Sequence, residues 1–288
     1  MQTLIRIKPF KSLGLAYHSI QISIVHYTYE AKKYPRVKDL FLMSSPFPTI
    51  AIMLIYLYFI FILGPKLMEK RSPFKINKIL VIYNMIQIIL CSSFIYQYVT
   101  NFLFHYNILC EPIDYSNSEL GLRAVNLVWS YFMLKLIDLI DTVFFVLRKK
   151  YSQISFLHVY HHTGMCVFGW VGTKYVAGGH GCFIGIFNCL VHVIMYFYYL
   201  LTAWDKKYKN NVWWKKHLTQ LQIAQFVAVT IHLLLIFFQP NCDYPRWIVC
   251  ALLPQNFLMI VLFSNFYIKA YLTEKKPETR NVVDKKTN

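Results

Sequence analysis

Seven apolar runs, each about long enough to cross a bilayer, leave this chain few ways to fold. They lie at roughly 47–64, 79–104, 121–147, 156–177, 181–204, 218–238 and 247–272. A bilayer core offers no water to an open backbone, so such runs become helices, which bond their own N–H and C=O groups. The runs do not alternate apolar and polar residues, which excludes a membrane β-barrel. With 57% of residues hydrophobic and 15% charged, the chain does not fit an ordinary soluble domain. It carries no solenoid repeat. The expected class is all-α, a polytopic membrane protein of seven transmembrane helices.

The net charge of +17 sits beside the runs. Loop 65–78 holds Lys66, Lys70, Arg71, Lys75 and Lys78, and loop 148–155 opens with Arg148, Lys149 and Lys150. Loop 205–217 holds Lys206, Lys207, Lys209, Lys215 and Lys216, and the tail adds Lys275, Lys276, Arg280, Lys285 and Lys286. The alternate loops are nearly empty of such charge. The positive-inside rule therefore puts the basic loops and the C-terminus in the cytosol. Residues 1–46 then fall on the luminal side, against the sign of Arg6, Lys8, Lys11, Lys32, Lys33, Arg36 and Lys38. The cations border spans and form no groove or motif, so nucleic acid is not the expected partner. Lys285 and Lys286 in the 273–288 tail resemble a dilysine retrieval signal of endoplasmic reticulum membrane proteins.

Seven cysteines form no CxxC pair, so no metal framework is read from them. Cys110 and Cys242 fall in the two luminal loops, where a disulfide between them can persist. Two free thiols remain the alternative.

The polar residues inside the runs form stripes. Lys135, Asp138 and Asp141 recur every third residue, as a site or as a buried ion network. Asn188, His192, Met195, Tyr196 and Tyr199 share one helical face, and Thr219, Gln222 and Gln225 share another. Asn84 and Gln87 sit in the second run. His158, His161 and His162 put three imidazoles on one face of an apolar helix. Ionisable groups at membrane depth are costly and mark sites. With the topology above, these stripes converge at one depth in the cytosolic half, while the luminal halves stay apolar. That describes a polar chamber over a greasy compartment, suited to a substrate with an activated head and a hydrocarbon tail. His192 and His232 stand alone along the sequence, and His105, His180 and His217 lie near span edges. A luminal His180 is expected to tolerate replacement.

Histidine offers two chemistries. HxxHH also occurs in membrane di-iron desaturases and hydroxylases, but those need several such boxes, and this chain has one. The other chemistry is acid–base and nucleophilic work by imidazole. A seven-helix receptor or transporter, which would show no turnover, is a third reading.

Four linked motifs carry a resemblance: Lys135 to Thr142 followed by Val143-Phe144-Phe145-Val146-Leu147-Arg148-Lys149, the His158 to His162 box, Asn188 to Tyr199, and Thr219 to Gln225. In order and type they resemble the very-long-chain fatty acid elongases, seven-helix condensing enzymes of the endoplasmic reticulum. The family pattern KxxExxDT usually has Glu where this chain has Asp138. The resemblance implies an elongase domain over 47–272 that encloses an acyl-chain tunnel. It implies condensation of acyl-CoA with malonyl-CoA to 3-oxoacyl-CoA, CO2 and CoA, with no metal and no cofactor. It implies His161 as acyl acceptor and His192 as its partner, with His158, His162, Asp138 and Asp141 in support. Lys135, Asn188, Tyr196, Tyr199, Thr219, Gln222 and Gln225 would meet substrate. A homo-oligomer and association with other enzymes of the elongation cycle are the further partners considered.

Overall fold

The structure, a computed structural model, describes residues 35–273 apart from 206 and 209–211. The luminal reading of residues 1–34 and the dilysine tail lie outside the described residues, as do Lys206 and Lys209.

Every regular element among the described residues is helical. The helices are α1 (Phe47–Met68), α2 (Asn77–Asn101), α3 (Glu119–Asp138), α4 (Ile140–Leu147), α5 (Phe156–Tyr175), α6 (Gly179–Trp204), α7 (Val212–Phe238) and α8 (Arg246–Leu272). Five of them, α1, α2, α6, α7 and α8, are long and apolar enough to cross a membrane. The chain is thus an all-α, multi-pass membrane protein. The runs expected at 121–147 and 156–177 form α3–α4 and α5. These hold the Lys135, Asp138 and Asp141 charges and the histidine box.

Local chemistry sets the helix ends. The Ser118 and Ser155 hydroxyls accept the Gly121 and His158 N–H groups at 2.9 and 3.2 Å, capping α3 and α5. Pro65 has no N–H for the regular ladder, yet α1 passes it. Residues Phe59–Leu63 widen into a π-turn, closed by the Gly64 N–H on the Phe59 carbonyl. The helix therefore reaches Met68, beyond the expected end at 64. At Leu139 the 135–141 stripe is broken into α3 and α4, with tight bonds from Leu139 N–H to Leu136 O and from Thr142 N–H to Leu139 O.

Helix α2 packs along α6, α3 along α5, and α7 along both α6 and α8. A Cβ on Gly185 of α6 would come within 2.8 Å of the Phe94 ring of α2, so glycine permits that approach. Ile55, Ile82, Ile89, Ile231 and Phe257 point outward, as lipid-facing residues do.

The two ends of the bundle differ. At one end, the Phe74 N–H bonds the Leu147 carbonyl and Lys149 Nζ bonds the Glu69 carbonyl, bringing two basic loops together. At the other end, Cys110 is disulfide-bonded to Cys242, with Cα atoms 5.7 Å apart. Residues 35–46 lie at this end. Arg36 reaches the Asp114 and Ser116 carbonyls at 2.8 and 2.9 Å, and Lys174 Nζ reaches the Met43 carbonyl at 2.8 Å. The Trp129 and Trp170 indoles donate to the Phe41 and Leu42 carbonyls. Opening the disulfide by Cys110→Ser should lower stability by about 2–4 kcal/mol, the usual effect of a crosslink closing a long loop. Cys110→Ser/Cys242→Ser should cost no more than either single change. Thermal unfolding in detergent under non-reducing conditions checks both.

His180 and His232 need correction. His180 is fully buried rather than at an open edge, and His232 is not alone. Their rings stack at 3.6 Å, and His180 Nε2 bonds the His232 carbonyl at 2.9 Å. Tyr106 Oη joins both residues, to the His180 carbonyl at 3.1 Å and His232 Nε2 at 2.9 Å. The bend that admits His180 uses Gly178 and Gly179 at φ +116° and +59°, where side chains are strained. Sequence position indicated only a span edge; the contacts are long-range. His180→Ala should therefore cost roughly 2–4 kcal/mol, through a lost buried hydrogen bond and a cavity, rather than be tolerated. A thermal unfolding midpoint equal to that of the unaltered chain would contradict this.

Candidate active site

The site begins with a buried cation. Lys135, on α3, is 1% exposed and cannot remain charged there alone. Its Nζ donates to Asp138 Oδ2 at 2.7 Å and to Asn188 Oδ1 at 2.8 Å, and sits 4.9 Å from the centre of the Tyr131 ring. Asp138 is equally enclosed. Its other oxygen accepts from Gln87 Nε2 at 2.9 Å and lies 3.2 Å from the Tyr196 hydroxyl. Tyr196 Oη is 2.8 Å from Asp141 Oδ2. One phenol thus bridges two carboxylates that the break at Leu139 has separated. Gln87 also donates to Tyr83 Oη at 2.8 Å.

The histidines ring this network. His192 Nδ1 lies 3.7 Å from Asp138 Oδ2 and is sealed without a hydrogen bond. His158 Nε2 is 2.8 Å from Thr142 Oγ1, which is 2.8 Å from Tyr56 Oη. The His158 and His162 rings lie 4.2 Å apart, and His161 meets His162 edge-on at 5.6 Å. The rings of Phe226 and Phe263 stand edge-on to His161 at 6.1 and 6.4 Å. Among the described residues, no group of three or more His, Cys, Asp or Glu is arranged to hold a metal ion.

Two cavities meet this layer. One, of about 370 Å³, lies at the basic-loop end, where Arg148, Lys150 and Lys215 line it with Asp141, Tyr199, Thr219 and Gln222. The other is narrow, about 110 Å³, and its wall includes His161, Asn188, Gln225, Gly172 and Tyr244. From His161 to Val176 at its far wall, α5 rises roughly 22 Å. Gln222 and Gln225 are one turn apart on α7, so the cavities stack end to end. The polar cavity has cations at its mouth, and the second is mainly apolar.

The expected site residues divide among these features. Tyr199, Thr219, Gln222 and Asp141 border the polar cavity, whereas His161, Asn188 and Gln225 border the apolar one. Lys135, Asp138 and Tyr196 form the buried network between them, with His192 against it. Tyr56, Tyr83 and Tyr131 also join the polar layer, although sequence reading passed over them. A tyrosine in an apolar run looks like packing. Tyr131, one turn before Lys135, and Tyr83, one turn before Gln87, carried a usable spacing signal.

The sequence profile of the ELO, or GNS1/SUR4, family matches residues 41–279. The chain belongs to that family. Relatives of this family member include very long chain fatty acid elongase 7 of Drosophila melanogaster, 45% identical over 242 residues, covering 84% of this chain and 74% of the relative. Very long chain fatty acid elongase 7 of Rattus norvegicus is 43% identical over 248 residues, covering 85% of this chain and 88% of the relative. Very long chain fatty acid elongase 1 of Mus musculus is 39% identical over 258 residues, at 88% and 92% coverage. Most of each relative is thus covered by this ELO-family chain.

Proposed function

We propose that this chain is an acyltransferase, a very-long-chain 3-oxoacyl-CoA synthase. It condenses a long-chain acyl-CoA with malonyl-CoA, releasing CO2 and CoA, in the first step of fatty acid elongation. The observation that carries the reading is the pair of stacked cavities. A polar cavity with Arg148, Lys150 and Lys215 suits the phosphates of CoA, and the apolar cavity suits a hydrocarbon tail. The thioester between them then lies beside His161 and the carboxylate network. Family membership supports the same activity.

The chemistry runs in two steps. An unprotonated nitrogen of His161 attacks the thioester carbonyl, and collapse of the adduct expels CoA, leaving an acyl-imidazole. Malonyl-CoA then loses CO2, and its enolate attacks the acyl carbon and releases the imidazole. His192, against Asp138, is the partner for proton movement. No redox cofactor or metal enters this sequence. The location we propose is the endoplasmic reticulum membrane with the basic loops and the C-terminus in the cytosol, where CoA esters meet the cationic mouth. Dehydrating and reducing partners of the elongation cycle would then act on the product.

Microsomes containing the chain, supplied with labelled malonyl-CoA and a panel of acyl-CoAs, should form 3-oxoacyl-CoA two carbons longer than the acyl donor. Activity should survive chelators and the removal of oxygen. Loss with EDTA that iron restores would replace this reading with the di-iron one.

A further inference from the structure

The orientation of one amide is fixed by its neighbours. The Asn188 side-chain atom facing Lys135 must be its oxygen, because an ammonium group has no acceptor. That oxygen takes Lys135 Nζ at 2.8 Å and the Tyr131 hydroxyl at 3.0 Å. The amide nitrogen therefore points the other way. It makes no hydrogen bond to any described residue, and it is not sealed as His192 Nδ1 is. Asn188 lines the apolar cavity together with His161. A buried side chain thus keeps two unused N–H donors and borders the same cavity as the nucleophile. Its orientation is held by a cation and a phenol that are themselves locked in place, since Lys135 is clamped by Asp138 and Tyr131 packs against Phe94.

We propose that the Asn188 amide is the oxyanion donor of this site, a catalytic residue rather than one that only holds substrate. The proposal rests on the condensation reading. When His161 attacks, the C–N bond forms and the carbonyl π pair moves onto oxygen. The alkoxide accepts hydrogen bonds from the Asn188 NH2. Collapse returns that pair, breaks the C–S bond and releases CoA as a thiolate, which takes up the proton lost from the imidazole. In the second step the bond to the malonyl carboxylate breaks as CO2 leaves, and its electron pair forms the new C–C bond. The same acyl oxygen becomes an anion again, then re-forms the carbonyl as the C–N bond breaks, and the departing imidazolate takes up a solvent proton by way of His192, which restores neutral His161. One fixed donor serves both adducts. A donor set before the reaction stabilises charge that exists only in the transition state.

Asn188→Asp is the sharpest test. The carboxylate keeps an acceptor for Lys135 and Tyr131 but offers no donor to the cavity. CoA release is followed with acyl-CoA alone, then with malonyl-CoA, alongside acyl-CoA affinity and thermal unfolding in detergent. The expected result is a fall of about 10²–10³-fold or more in the rate of CoA release, with acyl-CoA affinity nearly unchanged. A rate within threefold of the unaltered chain overturns the proposal, and so does a loss confined to affinity. If Asn188→Asp does not fold, Tyr131→Phe decides: it removes one of the two groups fixing the amide, and a rate equal to the unaltered chain overturns the proposal while a several-fold drop at constant affinity supports it. If the unaltered chain releases no CoA until malonyl-CoA is added, the acyl-imidazole reading itself fails and takes this role with it. That outcome is distinct from an Asn188→Asp chain that matches an active parent.

Discussion

His161→Ala should reduce condensation by roughly 10⁴-fold or more, the scale of losing a nucleophile, while leaving the protein folded in the membrane. The substitution removes an imidazole from a cavity wall and leaves the carboxylate network intact, because His161 makes none of its bonds. His192→Ala should be of similar severity for another reason. Its ring stands between Asp138 at 3.7 Å and Tyr196 at 5.5 Å between ring centres, where it can receive and return a proton. The two variants separate in a single-turnover assay with acyl-CoA alone. His161→Ala should give no acyl-enzyme at all. Substantial elongation by purified His161→Ala protein would refute the nucleophile assignment.

Asp138→Ala should destabilise the protein by about 3–5 kcal/mol, because it strands the Lys135 ammonium in the interior. Gln87 loses one of its two acceptors with it, and Tyr196 the longer of its two carboxylate contacts. The pair is a stability element only in the sense that breaking it is costly. Lys135→Met/Asp138→Leu, which removes both charges and keeps volume, should recover much of the loss in thermal unfolding. It should not recover turnover, since Asn188 and His192 would lose their electrostatic supports. An Asp138→Ala protein that unfolds like its parent would sink the ion-network account.

Much of this was legible in the sequence because hydrophobicity alone places membrane helices. The runs at 79–104 and 247–272 match α2 and α8 to within a few residues. Where the boundary moved further, at the start of α7, the added residues run from Val212 to His217 and include Trp213, Trp214, Lys215 and Lys216, helical but amphipathic and outside the apolar window. The polar layer was readable because charge is too costly in hydrocarbon to sit there idly. The spacing of Lys135, Asp138 and Asp141 hid the break at Leu139, so Asp141 serves the polar cavity while Asp138 remains enclosed. The His180–His232 stack was not readable, since it joins residues 52 apart through a glycine bend. The direction of the Asn188 amide was invisible for the same reason: its determinants, Lys135 and Tyr131, lie on another helix.

The Cys110–Cys242 bond joins residues 132 apart. Everything from Tyr131 to Gln225 lies between them, and so do the basic loops 148–155 and 205–211. The reacting part of the chain is therefore a covalent ring, with α1, α2 and α8 attached as arms. A protease that nicks either of those loops opens the ring and leaves one molecule. A nick in the 65–78 loop, outside the ring, divides the protein in two.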